Sequence, residues 1–366
     1  MRAHLRTFVL VAATGGLLAL FLRQADLAQV WSEIRHASPL YLLLALLATL
    51  ITYVFRALRW KALLLPLGRP PYGAVFRTTV IGFAANSLLP ARAGEILRPY
   101  LLARQHRLSA TSVFATVSFE RLLDLVTVLA FFGCFVFLGR TARSADPGLF
   151  RTVQLGGLAA AAAATVGSAL VFLVAGHPER LGRWAMRLEA FLPHRFASSL
   201  ARAVHRFASG FAVVRRPAPL IEALVLSVPV WLSIAAGIWF VSLAFRIDMD
   251  FLGTFLIVTL LTVGVAVPTP GAVGGFHYAY RVGATVFFAA PSERAVGAAI
   301  VLHAISFVPV ALLGLTFMLQ DGLDLGRLKR MAADASQDPE NPVEHDEVSV
   351  SPKRTLAARP ERETHA

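Results

Sequence analysis

The sequence is poor in charge, lysine and cysteine, and each shortage closes off a class of protein. Only 16% of the 366 residues are Asp, Glu, Lys or Arg, against about 25% in soluble domains. Lysine is nearly absent, so arginine supplies almost all of a formal net charge of +13 at a pI near 11.0. A nucleic-acid binder of that pI sets dense Lys/Arg clusters on a polar background, so no nucleic-acid partner is expected. The single cysteine, Cys134, lies in an apolar run and reads as a small core residue, which leaves no disulfide framework and no spaced zinc ligands. Walker, HExxH and GxSxG motifs are missing as well. Neither a metal nor a cofactor is expected.

What the chain has in abundance is hydrocarbon: 56% of its residues are apolar and the mean hydropathy is +0.63. Apolar runs cover about 7–22, 39–55, 75–89, 110–138, 153–175, 220–245, 251–267, 276–290 and 295–319. Several approach the twenty residues that span a bilayer; three are short enough to be half-spans. The expected fold is an all-α polytopic membrane protein of about 7–8 transmembrane helices plus one or two broken or re-entrant helical hairpins. Its transmembrane domain takes in residues 1–320. The first run follows Arg2, His4 and Arg6 but precedes no small-x-small cleavage site, so it reads as an uncleaved span.

Arginine placement sets the orientation. Between Arg56 and Arg107 there are nine Lys/Arg against one Glu, and between Pro178 and Arg216 eight Arg against two Glu, whereas the alternate loops are nearly neutral. By the positive-inside rule these stretches and both termini are cytoplasmic, and most of the positive charge reports topology. Residues 178–216 read either as an amphipathic helix on anionic headgroups or as a solvated loop. Arg56, Arg59 and Trp60 are expected to be interfacial anchors closing the second span. From about Ala332 the composition turns to Asp, Glu, Pro, Ser and Arg, and residues 321–366 are expected to form a disordered cytoplasmic tail.

Two interruptions stand out. In the first, an apolar half-span reaches Asn86, breaks at Pro90, passes Arg92 and turns through Gly94 before restarting with Glu95 and Arg98. A helix broken inside a membrane frees backbone groups that only protein or a polar cavity can satisfy. Glu95 and Arg98, three apart, can neutralise each other, leaving Arg92 to meet an anion such as a lipid phosphate. The second interruption, Pro268-Thr269-Pro270-Gly271 to Gly274-Gly275, cannot continue a helix either. Pro90 and Gly94 are four apart, as are Pro270 and Gly274. With hairpins entering from opposite faces, this spacing predicts an inverted repeat whose site lies where the two breaks meet.

A third group, Glu120, Arg121 and Asp124, lies within an apolar helix, where charges must be paired or face a polar interior. Two carboxylates and one arginine leave one negative charge, to be proton-bound or paired with Arg92 or Arg98; a static salt bridge pinning helix packing is the alternative. His303 and Ser306, one turn apart, read as interhelical hydrogen-bond partners.

Taken together, Asn86-x3-Pro90-x-Arg92-x-Gly94-Glu95-x2-Arg98, Glu120-Arg121-x2-Asp124 and Pro268-Thr269-Pro270-Gly271-x2-Gly274 resemble the lysylphosphatidylglycerol synthase transmembrane-region family, flippase-like integral membrane proteins, over about residues 5–320. The resemblance implies a multi-pass protein of the bacterial inner membrane that translocates a phospholipid or lipid-linked substrate, with partners such as membrane phospholipid or a lipid-linked glycan. On that reading Arg92 and Arg98 meet the headgroup phosphate, while Glu95, Glu120 and Asp124 balance or gate the charge. No aminoacyl-transfer domain is recognisable, so synthase activity is not expected and the chain is not read as an enzyme. Two alternatives are a non-transporting scaffold for a separate glycosyltransferase or lipid synthase, and a lipid headgroup transferase. His277 stands near a position where relatives place a carboxylate.

Overall fold

A computed structural model describes residues 25–89, 92–138, 216–266 and 269–323, together with positions 16, 21–22, 148, 151–152, 155–159, 162 and 326. Helices account for the secondary structure, with no strand among the described residues. They are α1 (Leu27–Arg35), α2 (Pro39–Leu64), α3 (Tyr72–Leu88), α4 (Gly94–His106), α5 (Ala110–Leu138), α6 (Pro217–Ala244), α7 (Gly253–Ala266), α8 (Gly275–Phe288) and α9 (Ser292–Gln320), with a 3-10 turn at Pro270–Ala272 between α7 and α8. Four of them, α2, α5, α6 and α9, are long and apolar enough to cross a bilayer. Leu43, Leu47 and Ile51 on α2, Val225 and Leu232 on α6, and Leu312 on α9 are exposed, a disposition that only lipid makes favourable. Cys134 is exposed as well. The core placement expected for it fails because an apolar span has a lipid-facing side that suits a small apolar residue equally well.

Local chemistry explains the boundaries. Asp26 caps α1, accepting from the backbone N–H groups of Ala28 at 2.9 Å and Gln29 at 3.2 Å. Pro39 and Pro217 open α2 and α6, positions where a missing N–H costs nothing. At the end of α3, Leu89 is extended (φ −106°, ψ 146°), as the residue before a proline prefers.

The long helices make a frame. α2 and α6 run antiparallel: the Ser38 N–H donates to the Ala244 carbonyl at 3.1 Å, Thr52 and Ser233 share a hydroxyl bond at 2.8 Å, and Gly237 faces Ala45 and Ala48. α3 follows the end of α2 and α7 follows the end of α6, so the hairpins α3–α4 and α7–α8 enter from opposite faces. α9 crosses beside both, with Gly314 against Val80 and Ala84 of α3, and His303 at the 3-10 turn. At one end Arg294 reaches Glu33 of α1, and at the other Arg77 of α3 pairs with Asp321.

Both breaks are therefore real hairpins, and the helix limits fall within a few residues of the apolar runs. One correction concerns α2, which does not stop at Phe55 but continues through Arg56, Arg59 and Trp60 to Leu64. The runs at 7–22 and 153–175, the stretch 178–216 and the tail beyond Leu323 lie outside the described residues apart from the isolated positions named above.

Candidate functional site

Three helices bring their charges together inside the bundle, and a fourth, α6, adds polar groups. Glu120 of α5 accepts from Arg59 of α2 at 2.8 Å and from Arg98 of α4 at 2.8 Å. One turn further along α5, Asp124 pairs with Arg59 at 2.7 Å, Arg121 at 3.2 Å and Arg56 at 4.0 Å, and accepts from the Trp231 indole of α6 at 3.0 Å. Arg59 also donates to Ser227 of α6 at 3.2 Å. Arg59 and Glu120 are 0% exposed and Arg98 is 2% exposed. Asp124 occupies the midpoint of α5, so the group lies deep within the span. Trp60 holds one wall, its indole donating to Thr116 at 3.0 Å while its ring lies 3.8 Å beneath the Arg98 guanidinium.

The balance of this cluster is its main property. Arginine keeps its proton in proteins, so among the described residues four guanidinium groups face two carboxylates and two positive charges are left over. Arg56 Nη1, Arg59 Nε, Arg98 Nε, Arg98 Nη2 and Arg121 Nε have no hydrogen-bond partner among the described residues, and on the acceptor side neither has Asp124 Oδ2. Buried charged donors without acceptors are expensive, and the arrangement is suited to receiving an anion.

Several sequence expectations change here. Arg56, Arg59 and Trp60 are buried rather than interfacial; α2 can carry them inward because the carboxylates of α5 meet them there. Arg98 does not neutralise Glu95, three residues away, but crosses to Glu120. Glu95 lies 3.9 Å from Arg92 in a half-exposed pair. The negative surplus expected at Glu120, Arg121 and Asp124 becomes a positive one, since α2 and α4 add three arginines. Of the two partners expected for that group, Arg98 reaches it, whereas Arg92 turns the other way and donates to the Val265 carbonyl at the end of α7.

That last contact ties one break to the other, and Gly271 lies beside the Ser87 carbonyl. The tips of the two hairpins thus meet, as the spacing of Pro90, Gly94, Pro270 and Gly274 predicts. Each hairpin depends on a glycine pair whose backbones touch: a Cβ on Gly94 would lie 1.9 Å from the Gly82 carbonyl oxygen, and one on Gly275 would lie 2.2 Å from that of Gly264. Each tip also holds one non-glycine residue in the left-handed region, Arg92 (φ 53°) and Ala272 (φ 57°), a conformation costing about 1–2 kcal/mol. Asn86 Oδ1 in the first hairpin and Thr269 Oγ1 in the second are buried without a hydrogen-bond partner among the described residues. Pro90 and Pro268 lie outside those residues.

The tip of the second hairpin carries a ring cluster, and the guanidinium of that hairpin, Arg281 of α8, donates to the Phe21 carbonyl and the Ser292 hydroxyl instead of joining the charged cluster. His277 and His303 stack with centroids 4.5 Å apart, flanked by Phe276 and Phe307. His303 Nε2 lies 2.7 Å from the Gly271 carbonyl, and the Gly274 N–H meets His277 Nδ1 at 3.4 Å. His303 is thus an interhelical partner, as expected.

Sequence reasoning did not find Ser227, Trp231 and Thr116 as members of the site. A signal existed: Arg56 and Arg59 on α2, and Ser227 and Trp231 on α6, share a helix face within apolar spans.

Residues 7–314 match the family described as "Lysylphosphatidylglycerol synthase TM region". The chain belongs to that family. Among curated relatives of this lysylphosphatidylglycerol synthase TM-region protein, the "Glycosyltransferase AglD" of Haloferax volcanii is 25% identical over 84% of the chain, and the chain spans 53% of that protein's length. A "UPF0104 membrane protein" of Methanothermobacter thermautotrophicus is 25% identical over 78% of the chain and 87% of its own length. Both the family's description and the second relative's name denote a membrane protein, in keeping with a multi-pass fold. The charged cluster and both hairpins fall inside the family match.

Proposed function

We propose that this protein moves a phospholipid or lipid-linked substrate across the membrane, the headgroup phosphate passing through the arginine cluster. The observation that carries this reading is a pair of positive charges uncompensated among the described residues, with unpartnered N–H donors, inside the bundle and joined to the first hairpin through Arg98. Arginine meets phosphate bidentately, and hairpins entering from opposite faces are the architecture of alternating access. The orientation has both termini in the cytoplasm of a bacterial inner membrane, with α3–α4 opening inward and α7–α8 opening outward. No catalytic step belongs to this reading.

The test is movement of acyl-labelled phosphatidic acid, phosphatidylglycerol or phosphatidylethanolamine in proteoliposomes. Lipid should change leaflet with the intact protein and slow by about 10–100-fold in Arg98→Gln, the loss of one hydrogen bond to a charged group being about 1.5–3 kcal/mol. Normal movement in that variant, or no movement of any lipid by the intact protein, defeats the proposal.

A second reading has its own support. The chain corresponds to about half of a relative named a glycosyltransferase, which favours a membrane scaffold for a separate glycosyltransferase or lipid synthase. A stoichiometric partner on purification, with lipid sidedness unchanged on deletion, would select it over transport.

A further inference from the structure

The charge count does more than call for an anion; it fixes how much negative charge neutralises the site. We infer that the cluster selects a doubly charged phosphate, a phosphomonoester or a diphosphate, over the singly charged phosphodiester of common glycerophospholipids. This rests on the lipid-translocation reading and narrows its substrate class.

Three observations carry it. Among the described residues, four guanidinium groups, those of Arg56, Arg59, Arg98 and Arg121, face two carboxylates, Glu120 and Asp124, while Arg92 and Glu95 pair with each other. A monoanion would leave one positive charge uncompensated in a low-dielectric interior; a dianion leaves none. The unpartnered donors are also numerous and spread over three helices: Arg56 Nη1 and Arg59 Nε on α2, Arg98 Nε and Nη2 on α4, and Arg121 Nε on α5. A terminal phosphate presents three oxygens to such a set, whereas a diester presents two non-bridging ones. Finally, Glu120 already bonds two arginines and Asp124 Oδ1 meets Arg59 and the Trp231 indole, while Asp124 Oδ2 has no hydrogen-bond partner among the described residues and lies 3.2 Å from Arg121 and 4.0 Å from Arg56. Re-pairing at Oδ2 can occupy one donor but leaves the net charge of the cluster unchanged.

The experiment compares binding of phosphatidic acid and phosphatidylglycerol with identical acyl chains to the purified full chain in nanodiscs. It is run at about pH 8, where a phosphomonoester is dianionic. Phosphatidic acid should bind at least about tenfold more tightly, and Arg56→Gln, which removes one positive charge, should bring the two lipids close to parity. Arg121→Gln, at a more exposed position, gives the same readout if Arg56→Gln does not fold. Displacement of phosphatidic acid by millimolar inorganic phosphate assigns the dianion to a soluble source, and retention assigns it to a lipid. Equal binding of both lipids by the intact protein overturns the selectivity while leaving lipid translocation standing. Binding of neither overturns the translocation reading itself.

Discussion

The hairpins α3–α4 and α7–α8 share a backbone and differ in chemistry. Each has a glycine pair in carbonyl contact, a left-handed residue at its tip and a buried oxygen without a partner. Only the first places a guanidinium in a charged cluster; the second packs His277 and His303 among phenylalanines. The comparison separates two requirements. Turning a chain at mid-membrane needs closely approaching glycines and a tolerated strained residue, whatever the side chains do. Building the charged cluster needs a guanidinium aimed at α5, which the first hairpin alone supplies among the described residues.

The sharpest way to break this comparison is to remove the charge. Glu120→Ala strips the shared acceptor from two buried arginines and should destabilise the protein by about 3–5 kcal/mol, read as lost thermal stability in detergent. No single side chain at the tip of α7–α8 should match that loss. If His277→Ala costs as much, the second hairpin is no neutral counterpart. Next come the glycines: Gly94→Ala and Gly275→Ala each force a Cβ into a backbone oxygen and should cost about 1–3 kcal/mol apiece, as overpacking does. Unequal costs would mean that the two hairpins are not built alike.

Smaller effects sharpen the picture. His303→Ala forfeits one contact to the Gly271 carbonyl, worth about 0.5–1.5 kcal/mol; thermal unfolding should show that shift, and a neutral result would detach α9 from the second tip. The smallest effect belongs to Arg77 and Asp321, whose side chains are 28% and 27% exposed. A double-mutant cycle should yield a coupling below about 1 kcal/mol. A larger value would make the end of α9 a true clasp on the first hairpin.

Much of this was legible before any coordinates. Apolar length located α2, α5, α6 and α9, and proline with glycine located both breaks, since these signals act on their own neighbours in sequence. The charged residues were legible only in part. Glu120 and Asp124 announced themselves as carboxylates inside a span, but their sign was misjudged because the balancing arginines come from other helices. Arg59 is 61 residues from Glu120. Local spacing offered Arg98 a partner in Glu95, and burial preferred Glu120, where both groups leave water together. Arg56 and Arg59 were read as the end of a span, because arginine usually marks the headgroup layer and nothing local reveals an acceptor arriving from α5. Trp231 carries no charge to draw notice, yet its indole is one of the acceptor's ligands.

One carboxylate carries a mechanical meaning beyond its charge. Glu120 grips Arg59 of α2 with one oxygen and Arg98 of α4 with the other, so a single carboxylate ties the first hairpin to the long helix beside it. An anion that bonded Arg98 would compete with that tie, so occupancy of the cluster and the hold of α2 on α4 are linked.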